Sequence, residues 1–214
     1  MIPLRVEARL GRAIVNPSRR IALDALLAAA VAQRDRLPPP VDDLIVPIEI
    51  PVQRSACGRY HLASFSEQSV EVREKGYINK RPIVDEAQMF ASEKVTRIQI
   101  SAGPSKGYRI PIEKGHLVGD RLVWWCIGDV DEIRALLATV HHLGKRRAVG
   151  YGRVLEWLVE PCEPWGDGFP VVRDGRALRP LPADHEGVTE RRLAMGALSY
   201  PYWQRERWEE VLVP

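Results

Sequence analysis

The sequence predicts an α+β fold in which an antiparallel sheet carries both helices on one face. Two observations predict it. Helical periodicity occurs twice, each time after a strand-like stretch, alternating apolar and polar before the first helix and continuously apolar before the second. The helices are separated by more than one strand segment, so strands and helices do not alternate strictly, as a doubly wound sheet would require. Size agrees. The chain has 214 residues, 45% of them hydrophobic, against about 100–150 for a common domain, enough for a core without metal or disulfide staples.

Taken in order, Leu4, Val6, Ala8 and Leu10 alternate with Arg5, Glu7 and Arg9, the pattern of a half-buried strand. Gly11 to Arg20 holds Asn16, Pro17 and Ser18 and reads as a loop. From Ile21 to Gln33, Leu23, Leu26, Leu27, Ala30 and Val31 recur at helical spacing, and Pro38-Pro39-Pro40 forbids continuation. Leu44 to Val52 is β-branched but broken by Pro47 and Pro51, an edge strand at best. Cys57 to Phe90 is polar and charged without clear period, and reads as a long insertion of the functional or mobile kind. Strand signals return at Val95–Ile100, Tyr108–Ile112 and Arg121–Ile127. Asp129 then caps the clearest helix, with Asp131 and Glu132 in its first turn. Ile133, Leu136, Leu137, Val140 and Leu143 form its apolar face, and Gly144 closes it. Arg153 to Val159 alternates as the last strand. Pro161 to Pro182 reads as irregular, a short helix is expected from Thr189, and the chain ends on the aromatic cluster Tyr200, Tyr202, Trp203 and Trp208.

Strand, helix, strand, strand, helix, strand is the split βαβ, ferredoxin-like (RRM-like) order. The expected organisation is a core over 1–160, including an insertion over 57–92, and an irregular C-terminal extension over 161–214. Cys57, Cys126 and Cys162 are odd in number and form no C-x-x-C pair, which argues against a disulfide framework or a Cys-based zinc site and for a reducing compartment. No motif calls for a cofactor or a metal. The N-terminus has no signal-peptide core, and no run approaches the roughly 20 apolar residues of a membrane span. A soluble, cytoplasmic protein is expected. The net charge of +3 is too small to mark a nucleic-acid binder by itself, so charge placement must carry that question.

The placement is concentrated in one stretch. Leu143 to Val154 holds Gly144, Gly150 and Gly152, the cations Lys145, Arg146, Arg147 and Arg153, the aromatic Tyr151, and no acid. It lacks the Lys and Ser/Thr that follow the second glycine of a Walker A loop, and it lacks the third glycine of a Rossmann fingerprint. Gly150, Tyr151, Gly152 and Val154 match part of the RRM strand motif, but after the second helix rather than on the third strand. An anion would be held here by Lys and Arg side chains and by backbone N–H groups that glycine leaves uncovered. Gly150 and Gly152 would allow close approach of RNA or a left-handed backbone angle. The alternative is an ordinary turn, with Gly144 a helix terminator and Lys145 and Arg146 complementing the helix end.

His141 to Val154 resembles the glycine-rich loop of the RAMP superfamily of CRISPR-associated RNA-binding proteins. Together with Leu23–Ala30, Asn79–Arg81, Ser101–Tyr108 and Tyr200–Trp203, it most resembles the Cas-five-type subunit of type IV CRISPR effectors. That resemblance implies a non-catalytic subunit that holds the 5′ handle of the CRISPR RNA and caps the backbone of the complex, with the insertion over 57–92 thumb-like. Its partners would be the RNA, the backbone and large subunits, and target DNA nearby in the assembly. Lys80, Arg81, Lys106, Arg19 and Arg20 join the loop as expected RNA contacts.

Some members of the superfamily cleave repeat RNA without a metal, which needs a base for the 2′-OH and an acid or cation for the leaving oxygen. His61, His116, His141, His142, Tyr151 and Lys145 are the candidates, but His141 and His142 would point about 100° apart on a helix. A protein-interaction or sensor module on the same fold is a third possibility. Trp124 and Trp125 sit on opposite faces of a strand, so at most one is core. The Tyr200–Trp203 cluster reads first as a lid or subunit interface and second as a base-stacking surface.

Overall fold

The computed structural model describes residues 1–37, 48–80 and 108–214, with backbone alone at 78–80 and 108–109. The expected strand at Val95–Ile100 and the segment 38–47 lie outside the described residues. The chain is a mixed α+β protein whose sheets are antiparallel.

The central sheet has β1 (Ile2–Leu10) between β5 (Arg121–Gly128) and β6 (Val154–Pro161). Val6 faces Trp124 on one side and Val159 on the other, while Ala8 faces Leu122 and Trp157. Alternation puts these side chains on one face, where α1 (Leu23–Arg34) and α2 (Val130–Leu137) cover them. Leu4, Val6, Leu23, Leu27, Trp124 and Ile133 are fully enclosed in that core. Trp125 points the other way, as the strand period demands. It packs at right angles to Trp165, with the Arg173 guanidinium 3.8 Å from the Trp165 ring centre. Glu7 is buried on this same face. Burial pushes its carboxyl up, but Arg5, Arg9 and Arg121 outweigh that and hold it below the usual range. Beyond β5, residues 62–67 run along its free edge. Ser64 N–H donates to the Trp125 carbonyl at 2.8 Å and Glu67 N–H to that of Val123 at 2.7 Å.

Four expectations are corrected. The loop from Gly11 to Arg20 contains a short strand, β2 (Ile14–Val15), because its apolar pair pairs with β4 (Tyr108–Leu117). The insertion is not without regular structure: β3 (Val70–Lys80) pairs with β4 along its length, its mixed Glu, Arg and Lys composition being that of an exposed ribbon. The C-terminal extension is likewise built, not irregular. β7 (Val172–Arg173) and β8 (Arg176–Ala177) form a hairpin, and β9 (Leu181–Pro182), β10 (Leu193–Gly196) and β11 (Glu209–Leu212) form a sheet. Tyr60, Val172, Leu181, Leu198, Val211 and Leu212 make a second core there. No helix starts at Thr189; the segment leads into β10.

Candidate nucleic-acid interface

The glycine loop is shaped by where α2 stops. The helix ends at Leu137 rather than running to Leu143. Thr139 Oγ1 donates to the Leu136 carbonyl at 2.7 Å, and a β-branched pair, Thr139 and Val140, disfavours another turn. The chain then runs extended. Leu143 N–H donates to the Gly152 carbonyl and Val154 N–H to that of His141, both at 2.8 Å. Two further bonds fasten this ladder to the turn after β1: Gly11 N–H to the Arg153 carbonyl, 2.9 Å, and Gly152 N–H to the Ala13 carbonyl, 3.0 Å. Gly144 is therefore a stem residue of an anchored loop, not a helix terminator.

The three glycines have left-handed φ angles but different surroundings. At Gly152 (φ +62°) a Cβ would lie 2.0 Å from the Leu143 carbonyl oxygen. At Gly144 (φ +76°) it would meet the Ile14 Cγ1 at 3.0 Å. At Gly150 (φ +85°) only the Arg12 guanidinium comes near, at 3.6 Å. Lys145, Arg146, Arg147 and Arg153 are exposed, and Tyr151 is half-buried.

Lys145, Arg147 and Gly144 form one wall of a cleft of about 750 Å³. Arg19 and Arg20, from the β2–α1 loop, line it, and Leu26 of α1 lies in it. The C-terminal segment supplies Met195, Tyr200, Trp203 and Trp208. None of the lining residues is acidic. A smaller hollow, about 580 Å³, shares Leu26, Ala29, His142 and Arg147 with the cleft and adds His141 and Gly150. Around the cleft, Arg12, Arg19, Arg20, Lys145, Arg146, Arg147 and Arg153 meet no carboxylate among the described residues. Elsewhere Arg5, Arg9, Arg73, Arg134, Arg173, Arg176 and Arg179 each have one.

A buried polar clamp sets the aromatic side of the cleft. Asp24, on α1, accepts from Tyr202 Oη at 2.7 Å and from Arg179 Nη2 at 3.2 Å. Arg179 is fully buried and also donates to the carbonyls of His61, Ala63 and Leu198. Burial, then the Asp24 charge, drives the Tyr202 phenol well above its usual value, so it stays a donor. Periodicity missed this clamp, although Asp24 inside an apolar helix face and Arg179 inside Leu178–Leu181 were its visible signs. It missed Arg12 and Met195 as well.

Of the residues expected to meet RNA, Gly144, Lys145, Arg147, Arg19 and Arg20 converge on the cleft. Gly150 lies in the adjoining hollow, while Gly152 supports the loop from beneath. Lys80 ends β3, its side chain outside the described residues, as are Arg81 and Lys106. His61 is buried, and His116 is exposed 3.9 Å from Asp120.

Residues 56–214 match the family model of the CRISPR type IV associated protein Csf3. The chain belongs to that family. The Csf3 match takes in the glycine loop, Arg179 and the aromatic wall, whereas Arg19 and Arg20 precede it. It agrees with the type IV resemblance of the loop. No curated protein matches the chain. No helix among the described residues is long and apolar enough to cross a membrane.

Proposed function

We propose that this Csf3 chain is a non-catalytic RNA-binding subunit of a type IV CRISPR ribonucleoprotein. In this reading it holds the 5′ handle of the CRISPR RNA in the cleft and caps the backbone beside the large subunit. The observation that carries it is the clustering of seven cations around the glycine loop and the β2–α1 loop, none with a carboxylate among the described residues, whereas ten of the eighteen other described Lys and Arg side chains have one. Phosphates are the ligands such a surface lacks. We read the fold as ferredoxin-like: β5 and β6, joined through α2, flank β1, and α1 leads from β1 towards the segment bonded to the outer edge of β5. The helix-free face, where an RRM would stack bases, is occupied by the Arg5–Glu7–Arg9 pairs and by the Trp125–Trp165 stack, which favours the cleft. Catalysis would need paired acid–base groups. His141 and His142 are neighbours in an extended segment and both border the smaller hollow with Arg147, so they are the groups whose substitution tests for cleavage.

One titration tests both halves of the reading. Labelled repeat RNA is bound in EDTA at rising salt, by the wild type and by a Lys145→Ala, Arg146→Ala, Arg147→Ala variant. The variant is expected to bind more weakly, with the log–log salt slope smaller by roughly 0.7 for each phosphate no longer neutralised. The RNA is expected to stay whole. An unchanged slope removes the loop as the phosphate site. A product ending in a 2′,3′-cyclic phosphate, absent with His142→Ala or His141→Ala, would establish the repeat-processing endoribonuclease instead.

A further inference from the structure

We infer that the aromatic wall of the cleft is a stacking site for an unpaired nucleobase of single-stranded RNA, with Trp203 as its platform. The inference rests on the RNA-binding reading and adds the part of the nucleotide that the cations cannot hold. Trp203 is 57% exposed, although it belongs to a segment fastened to the core by buried bonds. Its indole packs at right angles to Tyr200, ring centres 5.1 Å apart, which steadies it without covering it. Trp208 is also exposed, at 38%, and is held by its own N–H, which donates to the Tyr202 carbonyl at 3.0 Å. Large aromatics held in place yet open to water are what a stacking platform requires.

The chemistry opposite selects the occupant. Arg19, Arg20, Lys145 and Arg147 line the same cleft, and no acid does. A ligand that satisfies both walls is a polyanion bearing flat π surfaces. Unpaired RNA has a phosphate on every nucleotide and a base able to stack on an indole. A protein partner with acidic and apolar side chains is the competing occupant, and the test separates the two.

Two labelled probes of equal length are titrated against the full chain: an eight-nucleotide oligoadenylate, and the same phosphodiester chain with abasic riboses. Trp203→Ala is expected to weaken the oligoadenylate about tenfold or more. It should leave its salt slope and the binding of the abasic chain unchanged, while Trp203→Phe recovers most of the affinity. Arg147→Ala with Lys145→Ala should weaken both probes. Equal affinity of wild type and Trp203→Ala for oligoadenylate overturns the stacking site, while weaker binding by the cation variant still upholds RNA binding. If the cation variant binds both probes as the wild type does, the RNA reading itself fails. If Trp203→Ala keeps full RNA affinity but no longer associates with the other effector subunits, the wall is a protein interface and the inference is wrong.

Discussion

Gly150 and Gly152 are two residues apart, share a left-handed backbone, and do different work. The side chain missing at Gly152 is space filled by the Leu143 carbonyl, 2.0 Å from where a Cβ would be, and both its N–H and its carbonyl hold the loop stem. Gly150 has only the mobile end of Arg12 nearby. Gly152→Ala therefore combines a left-handed alanine with a backbone collision, and should cost about 3 kcal/mol or more. Gly150→Ala should cost about 1–2 kcal/mol, from backbone conformation alone. Urea denaturation of the two variants checks this, and equal losses would refute the division. Room for the close approach of RNA, expected at both glycines, is thus left at Gly150 only. Spacing in the sequence placed both in one role because the Leu143 carbonyl is brought against Gly152 by strand pairing, which no local pattern reveals.

Among the elements, α1 shows best what periodicity can and cannot read. Leu23, Leu27, Ala30 and Val31 fall where helical spacing put them, on the buried face. Asp24 shares that burial, and its partners Arg179 and Tyr202 are distant in sequence. Breaking a buried ion pair from one side strands the other charge. Arg179→Met should cost about 3–5 kcal/mol, and adding Asp24→Asn should recover part of it. Tyr202→Phe, which removes one donor, should cost about 1–3 kcal/mol. Equilibrium unfolding decides it; an Arg179→Met chain as stable as the wild type would show that the clamp contributes nothing. β1 and β6 were legible because apolar residues alternate with polar ones along them, and β5 because it is a short apolar run ending at Gly128. β3 was not, since a ribbon exposed on both sides has no alternation to read. α2 was overextended because Val140 and Leu143 continue the helical spacing after the hydrogen bonding has changed to an extended ladder. The cations of the cleft were legible as a cluster, but the aromatic wall facing them depended on the clamp.

On the scale of the whole molecule, two cores meet along one strip of chain. Tyr60 belongs to the second core and Ala63 to the first, and His61 between them is buried with its Nδ1 lacking a partner among the described residues. Burial lowers its pKa to about 4 against the pull of the Asp24 carboxylate, and the positive charges of Arg54 and Arg179 lower it further. The seam thus holds a neutral imidazole. An unfolded chain takes up a proton there below about 6.5, while the folded chain takes one only near 4, so the unfolded state binds more protons in that window. Stability contributed by neutral His61 is complete above about pH 6.5 and is lost as the pH falls towards 4, by up to about 3 kcal/mol. The acidic groups held below their usual range, Glu7 among them, lose their contributions mainly at the lower end of this range and beneath it. Melting temperatures between pH 7.5 and 4.5 should therefore fall for the wild type and fall less for His61→Gln, which cannot be protonated. Parallel curves for the two proteins would show that the seam does not sense acid. Because Arg179 bonds to the His61 carbonyl and to Asp24, a seam loosened by acid would also release Tyr202 and with it the aromatic side of the cleft.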